Sequence, residues 1–291
     1  MRNTGPIAIR RLHPLFGAEV TGIDITRPLS AREFGPLRAA FEEHSVLVLR
    51  DQPMDDEKQI AFSENFGPLE PTLSANPAVG TVFARQSNLD INTGETIPSD
   101  DMRMIYQKAN YFWHSDSSFK PVPSLCSILT ARLCPPEGGD TEFCSMRAAW
   151  NALPAALQAT VEPLVAEHAL VYSRNRVQPG ILSAKALSDY PPVRQRMVRD
   201  NPLNGRRALY IGAHCGHIVG WPRGTSDALL EELTLRGTRP EFTFAHKWRE
   251  GDVVIWDNRA VLHRATAYDT VKHKRLMQRT TVAGDAPTVP Q

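Results

Sequence analysis

"FTFAHKWREGDVVIWDNRAVLHRAT" (242–266) holds three short apolar runs, "FTFAHKW", "DVVIWDN" and "AVLHRAT", and a fourth, "RLMQRTTVAG" (275–284), follows closely. Each has strand length and is bounded by turn-forming Gly, Asp or Asn. Short strands with Gly, Pro and Asp turns predict a β-sandwich or barrel. Working outward, "SVLVLR" (45–50) reads as a buried strand and "AEVTGIDI" (18–25) as an alternating one. "SLCSILTARL" (124–133) and "RRALYIGA" (206–213) are further strands, and "PPEGGDTEFCSM" (135–146) is a turn feeding another. Helices are predicted over 30–44, where Ser30 and Glu33 have capping-box spacing, over 54–67 closed by Gly67, over 145–164 with a break near Pro154, and over 225–237 closed by Gly237. Residues 70–108 read as strands broken by loops, and 174–206 as loop. The expected fold is mainly β with flanking helices, a jelly-roll core with helices packed outside. No internal repeat or linker divides residues 1–291, so one domain is expected.

The charge balance of 33 basic against 32 acidic residues, with no long basic block, points away from nucleic acid and anionic membranes. No apolar run reaches the ~20 residues that span a bilayer, and the N-terminus has no signal-peptide pattern. Cys126, Cys134, Cys144 and Cys215 form no CxxC pair and read as core thiols in a reducing compartment, the cytoplasm.

"NYFWHSDSSF" (110–119) places His114 two residues before Asp116. On a strand the pair would share a face and offer two metal ligands, with His263 of "AVLHRAT" as a third. Two imidazoles and a carboxylate form the facial triad of non-haem Fe(II) oxygenases; a solvated or core-satisfied pair is the plain alternative. On the last strand Arg275, Met277 and Arg279 would share one face. Two guanidinium forks beside an apolar residue inside a barrel would call for two carboxylate ligands, or else for internal salt bridges. In "EGGDTEF" (137–143) the glycines allow close backbone approach and Thr141 offers a hydroxyl; a simple turn would look the same.

In this order, "WHSDSSF", "GGDTEF", "GDVVIWDNRAVLHRA" and "RLMQRTT" resemble the taurine/2,4-dichlorophenoxyacetate dioxygenase family, Fe(II)- and 2-oxoglutarate-dependent oxygenases on a double-stranded β-helix. The likeness runs from about residue 10 to 284 and is greatest toward the phenoxyacetate branch, through "WHSDSSF", "GGDTEFCSMRAAW" and "IGAHCGH". It implies that His114, Asp116 and His263 bind iron, that Thr141 and Arg275 hold the distal carboxylate of 2-oxoglutarate, and that Arg279 meets the acid group of the substrate. It places Asn110 on the substrate pocket, with His214 and His217 near it. Where taurine enzymes carry a sulfonate-binding histidine, this chain has "FGPLEPTLSANP", which argues against taurine. Asp116 argues against the halogenating variants, which lack that carboxylate. The implied reaction consumes O2 and 2-oxoglutarate, releases succinate and CO2, and hydroxylates a small carboxylate; an aryloxy-bearing product carbon then collapses to a phenol and an oxoacid. A sulfonate, sulfate ester or other carboxylate is an alternative substrate. A zinc hydrolase and a non-catalytic jelly-roll sensor are rival readings, and a homo-oligomer is compatible with all of them.

Overall fold

The computed structural model describes residues 6–73 and 78–290. Its centre is the run Val253–Asp257, every residue of which is buried. Alternation explains why: Val253 and Ile255 point to one side, and Val254 and Trp256 to the other. A strand with two buried faces reads as an unbroken apolar run. Val46–Leu49 does the same beside it, with Leu47 and Leu49 on one side and Val46 and Val48 on the other.

These strands lie in a seven-stranded sheet of order Ala8–Arg11, Ala18–Thr21, Val46–Leu49, Val253–Asp257, Cys126–Leu133, Leu276–Val282, Phe83–Ser87. All neighbours are antiparallel except the parallel pairing of Ala18–Thr21 with Val46–Leu49. A smaller sheet, Thr243–His246, Thr141–Ser145, Val261–Ala265, lies opposite. Between them Val254, Trp256, Leu129 and Met277 meet Phe143, Phe244 and Val261. This is the interior of the double-stranded β-helix. The outer face of the large sheet packs under helices Ala31–His44 and Asp56–Ser63 through Leu37, Phe41 and Phe62. Each such fully buried side chain contributes about 1.5–3 kcal/mol. A third cluster joins helices Met146–Asn151 and Arg223–Gly237 to a sheet of Cys215–Ile218, Val165–His168 and Val193–Arg196.

The Ser30/Glu33 capping box is formed, with the Ser30 N–H donating to the Glu33 carboxylate at 2.9 Å, and Pro154 separates helix Met146–Asn151 from helix Ala155–Val161. The helix expected over 54–67 stops at Ser63, where the Asn65 amide takes the carbonyls of Ala61 and Phe62. Two stretches differ more. Residues 70–108 contain one strand, Phe83–Ser87, and a helix, Met102–Gln107. Residues 174–206 contain helix Ala184–Asp189 and strands Val193–Arg196 and Val198–Asp200. Helices Met102–Gln107 and Ala184–Asp189 have six residues each and bury one, Met104 or Ala186, which is too few to write a period into the sequence. Among the described residues no helix is long and apolar enough to cross a membrane.

Candidate metal centre

His263 sits mid-strand in Val261–Ala265. His114 pairs with it as an isolated bridge, each N–H donating to the other's carbonyl at 3.1 and 2.9 Å. The strand expected across His114–Asp116 is absent: Asp116 opens a turn, and Ser117 has φ of 53°. The three side chains converge nevertheless. All are buried, and their ligand atoms lie within 4.8 Å of one another.

A polar cluster replaces the missing strand. The Asn258 carbonyl accepts from the Ser115 hydroxyl at 2.7 Å, and its Oδ1 accepts from the Asp116 N–H at 3.2 Å and from Trp256 Nε1 at 3.0 Å. The Asn258 amide donates to the Ser124 and Ser127 hydroxyls, both at 3.0 Å. Ser127 in turn donates to Asp116 Oδ2 at 2.7 Å, and Ser124 to the Asp116 carbonyl at 2.9 Å. Asp116 is therefore fixed at its backbone and at one carboxylate oxygen. His114 Nδ1 lies 2.8 Å from the Phe112 carbonyl. A proton there would leave Nε2 as the free lone pair facing Asp116.

Burial lowers the pKa of His114 and pushes that of His263 well down, so both imidazoles are neutral near pH 7. Burial is the largest influence on Asp116 and opposes its charge, but the Arg279 guanidinium, the two histidines and the Ser127 hydroxyl together outweigh it and hold the carboxyl well below its usual range. Arg279 Nη1 bonds Asp116 Oδ1 directly. Two neutral imidazoles and one carboxylate are the donor set of a non-haem iron site.

Two chambers meet at this cluster. The smaller is lined by His114, His263, Thr141, Arg275, Trp256 and Leu129. Arg275 precedes strand Leu276–Val282 and is set off by a register slip at Leu276/Met277, so the regular spacing predicted from Arg275 to Arg279 is broken. Its guanidinium reaches the Gly139 carbonyl at 3.2 Å and lies near the Tyr268 ring. Gly139 has φ of 68°, and a Cβ there would come 3.2 Å from Arg275 Nε, so only glycine leaves the fork its place. No carboxylate pairs with Arg275 among the described residues, although burial works against its charge. The Thr141 hydroxyl accepts from Trp248 Nε1 at 3.0 Å, which leaves its own proton to donate.

The larger chamber, about 900 Å³ with its mouth, is bounded by His114, Asp116, Arg279, Asn110, His214, Leu73, Tyr106, Phe119 and Arg174. Asn110 borders both chambers and donates to Gln86 Oε1 at 2.7 Å. His214 is buried edge-on to His114 and Phe119, at ring distances of 5.8 and 4.9 Å. His217 is not brought to the site. It lies on strand Cys215–Ile218 in register with Glu167 and lines neither chamber. Its likeness in spacing to His214 is lost at a bulge between Cys215 and His217. Sequence reasoning missed Asn258, Ser124, Ser127 and Arg174. A polar Asn following the apolar run "DVVIW" was the available signal for the first.

The model of the taurine catabolism dioxygenase TauD, TfdA family matches residues 8–281. An alpha-ketoglutarate-dependent 2,4-dichlorophenoxyacetate dioxygenase of Cupriavidus pinatubonensis is 41% identical, over 94% of this chain and 97% of its own. An (S)-phenoxypropionate/alpha-ketoglutarate-dioxygenase of Sphingobium herbicidovorans is 37% identical, over 95% of each. The crystal structure of AAD-2 in complex with Mn(II) and N-oxalylglycine superposes with a TM-score of 0.91 at 39% identity, covering 99% of this chain and all of that one. With the sheet pairing, the buried donor set and these matches in agreement, the chain belongs to the taurine catabolism dioxygenase TauD, TfdA family.

Proposed function

We propose that this protein is an Fe(II)- and 2-oxoglutarate-dependent dioxygenase that hydroxylates a small aryloxyalkanoate such as 2,4-dichlorophenoxyacetate. The observation that carries the reading is a buried His114/Asp116/His263 cluster opening onto a chamber whose Arg275 lacks an acid partner. His114, Asp116 and His263 hold the iron, and Arg275 with Thr141 takes the distal carboxylate of 2-oxoglutarate. Bound iron supplies the oxidising chemistry that couples conversion of 2-oxoglutarate and O2 to succinate and CO2 with exchange of a substrate C–H for C–OH. The chain's own part is positioning: a carboxylate clamp aims one C–H at the centre. Arg279 and Asn110 border both chambers and set the inner end of the substrate, with His214 on the wall. The hydroxylated carbon, bearing an aryloxy group, then expels a phenol and leaves an oxoacid. The phenoxyacetate and phenoxypropionate specificities of the relatives support this substrate class. Free thiols at Cys126, Cys134, Cys144 and Cys215 suit a reducing cytoplasm, and residues 1–291 act as one domain.

The test is succinate release from phenoxyacetates, 2-phenoxypropionates, cinnamate-like acids and taurine. Release should require Fe(II), 2-oxoglutarate and an aryloxy acid together; release with none of the aryloxy acids would reject the substrate class, and hydrolysis supported by Zn(II) alone would reject the oxygenase. The neutral amide of a good acid should have kcat/KM lower by roughly 10-fold or more, because a hydrogen bond to a charged group contributes about 1.5–3 kcal/mol. Equal use of acid and amide would remove the carboxylate clamp.

Asn258 gives a separate prediction. Asn258→Ala removes the amide that orders Ser124 and Ser127 behind Asp116. Metal affinity should fall roughly 10–100-fold, the usual cost of losing a group that orients a ligand. Calorimetric titration with Mn(II) measures it, and wild-type affinity in the variant would show that Asp116 needs no such support.

A further inference from the structure

The larger chamber carries more positive charge than the iron reading uses. Lys120 is paired with Glu70 at 2.6 Å, Arg103 with Asp90 at 2.6 Å and Asp101 at 2.9 Å, and Arg279 with Asp116. Arg174 differs. It ends the short helix Leu170–Asn175, is only 8% exposed, and has no salt bridge to a carboxylate among the described residues. Its Nε has no hydrogen-bond partner. Its guanidinium carbon lies over the Tyr106 ring, 4.2 Å from the ring centre. The Tyr106 hydroxyl and His214 Nδ1, on the same chamber, also lack partners. A buried cation without an anion is costly, and so are buried polar atoms left unpaired. A ligand bearing an anion would relieve all three.

We propose that Arg174 is a substrate-binding residue of this chamber, taking the anionic head group of the organic acid with its stacked guanidinium. The inference rests on the oxygenase reading of the site and assigns its anion recognition. Arg279 bonds Asp116, whereas Arg174 reaches the chamber wall with no carboxylate partner among the described residues. A planar fork held against an aromatic face suits a bidentate carboxylate. Leu73, Phe119 and Tyr106 supply apolar and aromatic surface on the same wall, which fits an aryl ring attached to that acid. Arg174 thus adds to Arg279 a second cation that favours an anionic substrate over a neutral one of the same shape.

The experiment uses full-length protein loaded with Mn(II) and N-oxalylglycine. Binding of phenoxyacetate, hexyl sulfate and phenoxyacetamide is followed by calorimetry for wild type, Arg174→Gln and Arg174→Lys, with thermal melts to establish folding. In Arg174→Gln the affinity for both anions should fall roughly 10–150-fold, with amide, Mn(II) and N-oxalylglycine binding kept. Arg174→Lys should recover part of the loss, since it retains charge without the fork. Anion affinity unchanged in Arg174→Gln overturns the proposal. So does an equal loss for acid and amide, or equal affinity in the Gln and Lys variants, because Arg174 would then serve packing against Tyr106 alone. Arg174-dependent binding of hexyl sulfate with none of phenoxyacetate keeps Arg174 as the anion contact and removes the aryloxyalkanoate class. Wild type binding neither anion removes both.

Discussion

Asp116→Ala and His263→Ala should each reduce substrate-dependent succinate release to background. Both residues are buried in a three-member cluster, and a site reduced to two donors holds a divalent ion weakly and in the wrong shape. Metal affinity should fall by more than the roughly 10–100-fold typical of a group behind the ligands. The two variants should differ in one respect. His263→Ala leaves the Arg279–Asp116 pair in place, whereas Asp116→Ala strands a half-buried guanidinium beside two imidazoles. Breaking a buried pair from one side commonly costs about 3–5 kcal/mol, so Asp116→Ala should also melt at a markedly lower temperature. Mn(II) titration, turnover with added Fe(II) and thermal melts measure the three effects. Near-normal turnover in either variant would displace the proposed triad.

Arg275→Ala should raise the 2-oxoglutarate concentration needed for half-maximal rate by roughly 10–150-fold, matching a charge-assisted contact of about 1.5–3 kcal/mol. Substrate affinity and Mn(II) binding should change little, because Arg275 touches the backbone at Gly139 and borders the smaller chamber. The split between cosubstrate and substrate is the informative readout. A general loss of structure would weaken both together, and an unchanged requirement for 2-oxoglutarate would remove Arg275 from that site. Arg275→Lys should recover only part of the affinity, since an ammonium keeps the charge and loses the fork.

How much of this was legible in the chain depends on how each part is encoded. "DVVIW" and "SVLVL" announce strands because both their faces are buried, so burial itself writes the pattern. The three residues that converge, His114, Asp116 and His263, could be picked out by residue type and order, and Arg275 by the oddity of a cation beside Met277. The geometry joining His114 to Asp116 was misjudged. They are held by a turn and by Asn258, a side chain 142 residues away in sequence, and no local periodicity records such a contact. Arg174 was hidden for a related reason. Its helix has six residues, and its meaning lies in the absence of an acid nearby, a fact about space that one-dimensional spacing does not carry. His217 shows the converse: a suggestive pair of histidines parted by a bulge.

Strand order sets a timetable for synthesis. Leu276–Val282, the last strand of the chain, lies between Cys126–Leu133 and Phe83–Ser87. At about 5–20 residues per second, the ribosome takes roughly 10–40 s to go from Ser87 to Arg279, the intervening 192 residues (279 − 87). During that interval Phe83–Ser87 has no neighbour in its final sheet, and Cys126–Leu133 has an open edge of unpaired amides and carbonyls. The closing strand is flanked by Arg275 and carries Arg279, so the nascent chain acquires both cations in the step that seals the sheet. A stalled or C-terminally clipped chain therefore lacks both of these arginines and exposes an adhesive edge. Incomplete copies should be lost to aggregation or proteolysis and should not linger as folded protein that captures iron without its cosubstrate.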